Sequence, residues 1–304
     1  MATNIINRID KIRNCLIAPF HVQIEVTEKC KASCSQCYIG HNYARDMDFE
    51  LYKKYILQLY NIGVKTITLT GGDPVEYPHL ISAIKEAKTK NIGVDIISSG
   101  IGINDELCKK LKDAEVDEVH ISLNGSTKEI NDSSRSNFND SINAIKNLRK
   151  QNIYCTACWV LRKDNINDIE KYIELCQEMD VNRIYVLKNK RNHNNVIDSE
   201  INYLELLQFI TIIKPYYERG YVSIDGCFPE IYEHINNKKM PLIMRRCCGG
   251  VTHFDVLVDG SFSPCRKTRI NEHSNSIAEY WNGTELLSKK RLNNNIRVCQ
   301  RGVQ

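Results

Sequence analysis

The chain lacks the long apolar runs and like-charge blocks that mark membrane and nucleic-acid proteins. No apolar run among its 304 residues approaches the roughly 20 needed to span a bilayer. The start, MATNIINRIDKIRNCLIAPF, lacks a basic segment followed by an apolar core, so no secretory signal is predicted. The net charge is only +4 and like charges are not clustered, which predicts neither nucleic acid nor membrane as a partner. We expect a cytoplasmic protein.

Cysteine, in contrast, is abundant. The chain has 13 cysteines, an odd number, and disulfide frameworks belong mainly to small secreted domains. We therefore expect metal chemistry in a reducing setting. The length suits one large α/β domain with a small appendage, at about 150 residues per domain.

Three of the cysteines lie close together in CKASCSQC, directly after the strand-like run HVQIEV. Cys30, Cys34 and Cys37 have the spacing C-x3-C-x2-C, whereas protein ligands to an iron–sulfur cluster usually number four. Three thiolates would leave one iron of a cubane cluster open to a small molecule. The alternatives are buried thiols and a zinc site, but structural zinc sites usually pair two C-x2-4-C units.

This spacing resembles the signature of the radical S-adenosylmethionine (SAM) superfamily, in which an aromatic residue, here Tyr38, commonly follows the third cysteine. The resemblance implies a [4Fe–4S] cluster on Cys30, Cys34 and Cys37 whose open iron binds S-adenosyl-L-methionine. It also implies reductive cleavage of that cofactor to methionine and a 5′-deoxyadenosyl radical, which abstracts a hydrogen atom from the substrate.

Short β-rich runs alternate with segments of helical period between residues 20 and about 190. The predicted strands are 21–26, 66–71, 94–99, 118–123, 154–161 and 183–188. Repeated βα units imply a parallel sheet, because parallel strands need crossover helices. The resemblance implies an α/β fold, a partial (β/α)6 TIM-like barrel, with its chemistry at the C-terminal ends of the strands. The cysteine loop follows the first strand.

Two helix ends are predicted from local signals. Apolar residues on one face of 51–62 are followed by Gly63, a residue that often ends a helix. Asn167 with Glu170 has the offset of a capping box, which predicts a helix beginning at Asn167.

We expect four parts along the chain. They are an N-terminal helical extension (1–19), the barrel (20–200), a helical connector (201–240) and a small cysteine-rich domain of a β-hairpin and helix (241–304). The hairpin is predicted from two alternating runs around Asp259-Gly260.

A second motif, Gly71-Gly72-Asp73-Pro74, ends the second predicted strand. Glycines allow close approach of the backbone to a ligand, although GGDP is also an ordinary turn sequence. It resembles the GGE-P motif of the same superfamily, whose carbonyls receive the ammonium group of the cofactor, with Asp73 in place of the usual glutamate.

Three further positions rest on the resemblance. Ser99, with Ser98 before Gly100, lies where the superfamily often has Thr-Asn-Gly, and Ser122 ends a strand where ribose or carboxylate contacts are usual. Arg135 resembles the arginine that pairs with the cofactor carboxylate. The alternatives are serines that cap strand ends and a surface arginine.

A third cysteine set, Cys247, Cys248, Cys265 and Cys299, lies in the tail. The run CCGGVTHFDVLVDGSFSPC resembles the opening of a SPASM or twitch auxiliary domain. A complete SPASM domain carries seven cysteines and two clusters, so this tail is expected to hold one auxiliary [4Fe–4S] cluster. The first ligand is Cys247 or Cys248, the ligands number three or four, and a zinc knot is the alternative.

The other cysteines and two histidines carry weaker expectations. Cys155 and Cys158 fall on opposite faces of a strand, and either of them, or Cys227, could face the barrel and donate a hydrogen atom, although buried thiols are the simpler interpretation. His120 and His253 are read as structural.

The resulting hypothesis is a radical SAM enzyme that oxidises, cross-links or epimerises a ribosomally made peptide. One alternative is a radical dehydrogenase of a small metabolite such as an aminoglycoside-like alcohol. The other is an iron–sulfur electron-transfer or binding protein. Expected partners are the peptide or small-molecule substrate and a reducing protein such as flavodoxin or ferredoxin.

Overall fold

The computed structural model describes residues 9–10, 15–35, 37, 44–189, 201–240, 247–266 and 271–292. Its centre is a nine-stranded sheet with the order β11 (Phe262–Ser263), β10 (His253–Val256), β3 (His21–Thr27), β4 (Thr66–Gly71), β5 (Gly93–Ser98), β6 (Glu118–Ser122), β7 (Tyr154–Leu161), β8 (Arg183–Lys188) and β9 (Val222–Ile224). All neighbours are parallel except β10 and β11. The sheet is not closed, because β11 and β9 stand at its two ends.

The nine strands, in chain order, are β3 (His21–Thr27), β4 (Thr66–Gly71), β5 (Gly93–Ser98), β6 (Glu118–Ser122), β7 (Tyr154–Leu161), β8 (Arg183–Lys188), β9 (Val222–Ile224), β10 (His253–Val256) and β11 (Phe262–Ser263). The six strands predicted from the sequence are confirmed as β3 to β8, with each end within one residue.

The helices, in chain order, are α1 (Phe49–Asn61), α2 (Leu80–Thr89), α3 (Asp105–Asp113), α4 (Lys128–Asp132), α5 (Phe138–Lys150), α6 (Ile169–Glu178), α7 (Tyr203–Glu218), α8 (Pro229–Asn236), α9 (Ile277–Gly283) and α10 (Glu285–Leu292). Short 3-10 turns lie at Pro74–Glu76 and Ile166–Asp168. None of the helices in the described ranges combines the length and apolar character required to cross a bilayer.

The strands alternate between two faces, and the core lies on the outer one. On β7, Trp159 is fully buried and its ring packs on Tyr172 of α6 and Phe209 of α7. The inner face carries polar side chains, and the Nε2 atom of His21 lies 2.9 Å from Thr68 Oγ1 across two strands. Strands of a parallel sheet usually carry apolar side chains on both faces, so polar side chains on the inner face indicate a functional interior.

One helix prediction is confirmed and the other is wrong. Helix α1 ends as expected, with Gly63 at φ +84° after it. The second helix does not begin at Asn167, because α6 has Asp168 at its N-cap position without a side-chain cap. The Asp168 carboxylate instead accepts hydrogen bonds from Ser126 N at 2.6 Å and Ser126 Oγ at 2.5 Å, and the 3-10 turn Ile166–Asp168 leads directly into the helix.

The prediction of a helical N-terminal extension is wrong for its described residues. Strands β1 (Ile9–Asp10) and β2 (Cys15–Leu16) form an antiparallel pair. Leu16 N donates to Val251 O at 3.0 Å, and the Trp281 indole donates to Leu16 O at 3.0 Å. Backbone hydrogen bonds to the tail therefore hold this segment extended.

The tail is joined to the barrel through the sheet. The predicted hairpin around Asp259-Gly260 is confirmed as β10 and β11, and β10 pairs in parallel with β3 from His253↔His21 to Val256↔Ile24. In the connector, β9 adds a strand beside β8 that the sequence did not indicate. The other domain limits stay predictions.

Candidate functional site

The cysteine loop follows β3 at the C-terminal edge of the parallel strands. Cys30 is exposed, Cys34 and Cys37 are half-buried, and Cys37 N donates to Cys34 O at 3.1 Å. The loop is therefore turned back on itself, with its thiols at the edge where parallel barrels place their chemistry.

One side of the loop packs on Gly71 and Gly72. Gly72 N donates to Thr27 O at 2.7 Å, and Asp73 N donates to Lys29 O at 2.8 Å. A Cβ atom on Gly71 would lie 2.0 Å from Thr27 O, and one on Gly72 would lie 2.2 Å from Lys29 O. Both positions therefore exclude any side chain. The glycines allow the loop after β4 to pack directly against the cysteine loop.

The other side is held by the segment after β6. Ser35 N donates to Ser134 O at 3.1 Å, and the hydroxyls of Ser33 and Ser136 lie 2.7 Å apart. The guanidinium of Arg135 donates from Nη1 to Cys34 Sγ at 3.5 Å. Arg135 is thus turned toward the cysteines rather than lying free on the surface.

The cysteine set fits an anionic iron–sulfur cluster. Burial raises the pKa of the Cys34 thiol, and the positive charge of Arg135 opposes that rise. Desolvation also raises the pKa of the Cys30 thiol to about 11, although residue 30 as a whole is exposed, and the negative charges of Asp73, Cys34 and Cys37 add to it. Binding to a cationic metal centre displaces such protons. The buried Nε atom of Arg135 has no partner among the described residues, which leaves a donor for an anion.

The spacing of the sulfur atoms also argues against a single ion. Among the described residues, the only three metal-binding side chains whose ligand atoms all lie within 4.8 Å of one another are Asp95, Glu118 and His120. The three cysteine sulfurs are therefore more widely spaced. A tetrahedral zinc with Zn–S bonds of about 2.3 Å would need sulfurs roughly 3.8 Å apart.

The Asp73 side chain points into the protein. The residue is 2% exposed, and its carboxylate accepts from Ser99 N at 2.8 Å, Ser99 Oγ at 2.5 Å, Ser98 Oγ at 3.0 Å and Val75 N at 3.2 Å. Burial raises the pKa of Asp73, and the hydrogen bonds from Ser99, Val75 and Ser98 oppose the rise. Asp73 therefore ties the end of β4 to the end of β5.

The other predicted cofactor residues fall into two groups. Ser99 is bonded to Asp73 as above, which joins the ends of β4 and β5. The carbonyls of Ser99 and Ser122 both accept from Ser141 Oγ of α5, at 2.9 and 3.1 Å. Their cofactor contacts stay predictions. Tyr38 and Cys299 lie outside the described residues.

Sequence reasoning missed a polar chain inside the barrel. Glu118 accepts from Arg183 Nη2 at 2.6 and 2.8 Å and from the Thr156 hydroxyl. His120 Nε2 lies 3.3 Å from Glu118 Oε1, and its Nδ1 lies 3.6 Å from Cys158 Sγ. His120 is therefore more than the structural residue we expected. The alternation in EVHIS, with polar residues at every second position, was the available signal.

A second missed group joins the barrel to the tail. The Arg266 guanidinium donates to Thr70 Oγ1 at 2.5 Å, and Arg266 N donates to Asp255 Oδ2 at 2.5 Å. Glu25 of β3, 9% exposed, pairs in register with Thr70. Burial raises the pKa of Glu25 to about 7, an effect that the charge of Arg266 opposes and that of Asp255 reinforces.

The tail cysteines gather around Gly249. A Cβ atom there would lie 2.6 Å from Pro264 O and 2.9 Å from Cys265 Cβ, so the chain at Cys247 and Cys248 packs closely on Cys265. Lys290 of α10 donates to Cys247 Sγ at 3.6 Å. The close packing and the neighbouring ammonium group suit thiolate ligands.

The fold and this site define a class of protein. The model of the Radical SAM superfamily matches residues 24–176, half of the chain, and the chain belongs to that superfamily. Membership implies S-adenosylmethionine and a [4Fe–4S] cluster as cofactors.

Among particular relatives, the PqqA peptide cyclase of Ruegeria pomeroyi is 23% identical over 270 residues, which cover 84% of this chain and 70% of that protein. Two crystal structures of Streptococcus suis SuiB share the fold at a TM-score of 0.79. SuiB bound to S-adenosylmethionine is 15% identical and is matched over 92% of this chain and 69% of its own. SuiB bound to the precursor peptide SuiA is 17% identical and is matched over 92% and 68%.

Replacing Asp73 is expected to loosen the link between β4 and β5. Asp73→Ala removes the acceptor for four hydrogen bonds, and unpaired buried donors cost about 1–3 kcal/mol each. We expect urea unfolding to show a clear loss of stability and equilibrium dialysis to show binding of S-adenosylmethionine weakened about tenfold or more. Asp73→Asn keeps one acceptor and should fall between. Glu106→Ala, at a side chain 74% exposed, is the control, and an equal effect there would contradict this role.

The raised pKa of Glu25 should make the free energy of unfolding depend on pH. The pKa of Glu25 is about 7 in the folded protein, whereas the ordinary value is 4.5. The protonated Glu25 therefore contributes fully to the stability of the fold below pH 4.5, and this contribution is lost as pH rises through 7. Glu25→Gln should therefore raise the free energy of unfolding by up to about 3 kcal/mol at pH 8 and by less than about 1 kcal/mol at pH 5. Urea titrations at both pH values measure this, with Glu106→Gln as the exposed control. A gain that is the same at both pH values would show that Glu25 is ionised in the fold.

Proposed function

We propose that the protein is a radical SAM enzyme that modifies a peptide, with Cys30, Cys34 and Cys37 as the ligands of its [4Fe–4S] cluster. The observation that carries the proposal is the cysteine loop itself, packed between Gly72 and Arg135 at the C-terminal edge of the sheet. When bound, the cluster and S-adenosylmethionine supply a 5′-deoxyadenosyl radical that abstracts a hydrogen atom from the substrate.

The chain's own residues orient and shield this chemistry. Gly71 and Gly72 hold the β4 loop against the cysteine loop, and Asp73 fixes that loop to Ser99. Arg135 places a positive charge beside Cys34, which stabilises bound thiolate and leaves its Nε atom for a carboxylate. Buried strands and helices around the interior exclude water from a reactive radical.

A peptide substrate is supported by the relatives and by the open sheet. The similar proteins include a peptide cyclase and a structure solved with a precursor peptide. The sheet ends at β9 and β11 without closing, which leaves a side opening on the described part of the barrel. An extended chain needs such a groove, whereas a small metabolite fits an enclosed pocket.

We further infer one auxiliary [4Fe–4S] cluster in the tail, with Cys247, Cys265 and Cys299 as ligands and Cys248 or Cys227 as candidates for a fourth. The packing of Gly249 on Cys265 and the contact of Lys290 with Cys247 support it. Because His253 pairs with His21, the residues on either side of the hairpin lie toward the start of β3, so this cluster would be separated from the first one by about the length of that strand. We infer that a flavodoxin or ferredoxin in a reducing cytoplasm supplies the electrons.

The function is tested by turnover of the reconstituted protein. With dithionite and S-adenosylmethionine we expect 5′-deoxyadenosine. When the short peptides encoded beside the gene are added, we expect at least a several-fold faster rate together with a peptide product that chromatography separates from the substrate. Cys34→Ala should abolish both readouts, whereas Cys108→Ala, at a buried cysteine of α3, should preserve them. Failure to form 5′-deoxyadenosine would refute the radical chemistry. If 5′-deoxyadenosine forms but none of these peptides accelerates its formation or is consumed, the peptide substrate would be refuted.

Iron analysis tests the second cluster. The reconstituted protein should bind about eight irons per chain, two [4Fe–4S] clusters. The triple variant of Cys30, Cys34 and Cys37 to alanine and the double variant of Cys247 and Cys265 to alanine should each bind about four, and Cys108→Ala about eight. If the double variant binds as much iron as the wild type, the proposal of an auxiliary cluster on Cys247 and Cys265 would be wrong.

A further inference from the structure

Inside the barrel, a thiol, an imidazole and a carboxylate form a chain to which the proposed function assigns no role. Cys158 Sγ lies 3.6 Å from His120 Nδ1, and His120 Nε2 lies 3.3 Å from Glu118 Oε1. Glu118 is fixed in turn by Arg183, whose Nη2 donates to both carboxylate oxygens at 2.6 and 2.8 Å. The carboxylate therefore orients the imidazole, and the imidazole contacts the thiol.

The strand register places this chain on the inner face. Glu118 and His120 are alternate residues of β6, and Cys158 of β7 pairs with Ser122 at the C-terminal end of β6. Cys155 lies three residues earlier on the opposite face and is fully buried, and burial followed by the charge of Cys176 of α6 raises its pKa. The two cysteines of β7 are thus a matched pair, one facing the interior and one sealed under the helices.

Cys158 is also near the cysteine loop. Cys158 pairs with Ser122, the last residue of β6, at the C-terminal edge that carries the cysteine loop. The positive charge of Arg135, which donates to Cys34 Sγ at 3.5 Å, partly opposes the rise in the pKa of Cys158. The thiol therefore lies just inside the edge at which the radical would form.

The thiol is held in its protonated form. Burial, followed by the negative charge of Glu118, raises the pKa of Cys158 to about 12, and burial lowers the pKa of His120. A nucleophilic cysteine needs a lowered pKa and a thiolate. Cys158 instead keeps an S–H bond beside a neutral imidazole, and an S–H bond can release a hydrogen atom.

We propose that Cys158 is the catalytic hydrogen-atom donor that quenches the substrate radical, with His120 and Glu118 as positioning residues; this rests on the proposed function. The substrate carbon first loses a hydrogen atom. It then receives one from Cys158 as the S–H bond breaks and a C–H bond forms. The Cys158 thiyl radical takes one electron from a flavodoxin- or ferredoxin-class reductant and one proton through His120, which restores the thiol. The substrate keeps its composition and no cross-link forms. Delivery of the hydrogen atom to the face of the carbon opposite the one from which it was abstracted inverts the stereocentre.

The test uses S-adenosylmethionine alone as the probe. Reconstituted protein is equilibrated in D2O, turned over with dithionite in the absence of substrate, and the 5′-deoxyadenosine is analysed by mass spectrometry. Because the Cys158 S–H exchanges with solvent, wild-type product should carry one deuterium. The deuterated fraction should fall at least several-fold in Cys158→Ala and Cys158→Ser, and also in His120→Gln, where the thiol loses its orientation. Cys155→Ala, the matched variant on the other face, should retain the wild-type fraction.

The outcomes separate the two proposals. Product without deuterium in the wild type, or an equal deuterated fraction in Cys158→Ala, would overturn the donor role while leaving radical formation in place. Absence of 5′-deoxyadenosine would overturn the proposed function and this inference with it. In the cluster-free protein, methyl methanethiosulfonate should label Cys158 faster than Cys155, and the reverse order would contradict the inward position of the thiol.

Discussion

The close approach of two glycines to the backbone of Thr27 and Lys29 is the constraint on which the rest of the site depends. No side chain fits at Gly71 or Gly72, so the loops that follow β3 and β4 share backbone hydrogen bonds instead of packing through side chains. Backbone contacts define position more tightly than flexible side chains do. The cysteine loop is thereby fixed from one side before Arg135 contacts it from the other.

The barrel interior is built for chemistry at some cost in stability. Glu25 is buried and Asp95 is half-buried, and desolvation raises the pKa of each carboxyl to about 7. Replacing such groups by apolar residues is often neutral or stabilising. The charged pair of Glu118 and Arg183 is better satisfied, because the guanidinium reaches both carboxylate oxygens. Stability comes from the opposite face, where Trp159 and its aromatic neighbours are fully covered.

Local patterns in the sequence predicted the barrel strands and the hairpin, because alternation and turn residues act over short distances. The N-cap position of Asp168 was missed because the partner of its carboxylate, Ser126, is 42 residues away along the chain. The hydrogen bonds of Asp73 to the β5 serines and of Arg135 to Cys34 are equally long-range, so motif matching indicated these residues without their partners. The thiol–imidazole contact depends on the register of β6 and β7, which the sequence leaves open.

The pairing of β10 with β3 has a consequence for how the molecule is made. The two strands are more than two hundred residues apart, so during synthesis β3 remains an unpaired edge until nearly the whole chain has emerged. An exposed edge strand invites association with other chains. Non-local pairing of this kind is also slow. The nascent protein therefore carries the cysteine loop beside an open edge, and we expect metal assembly to follow the docking of the last strand.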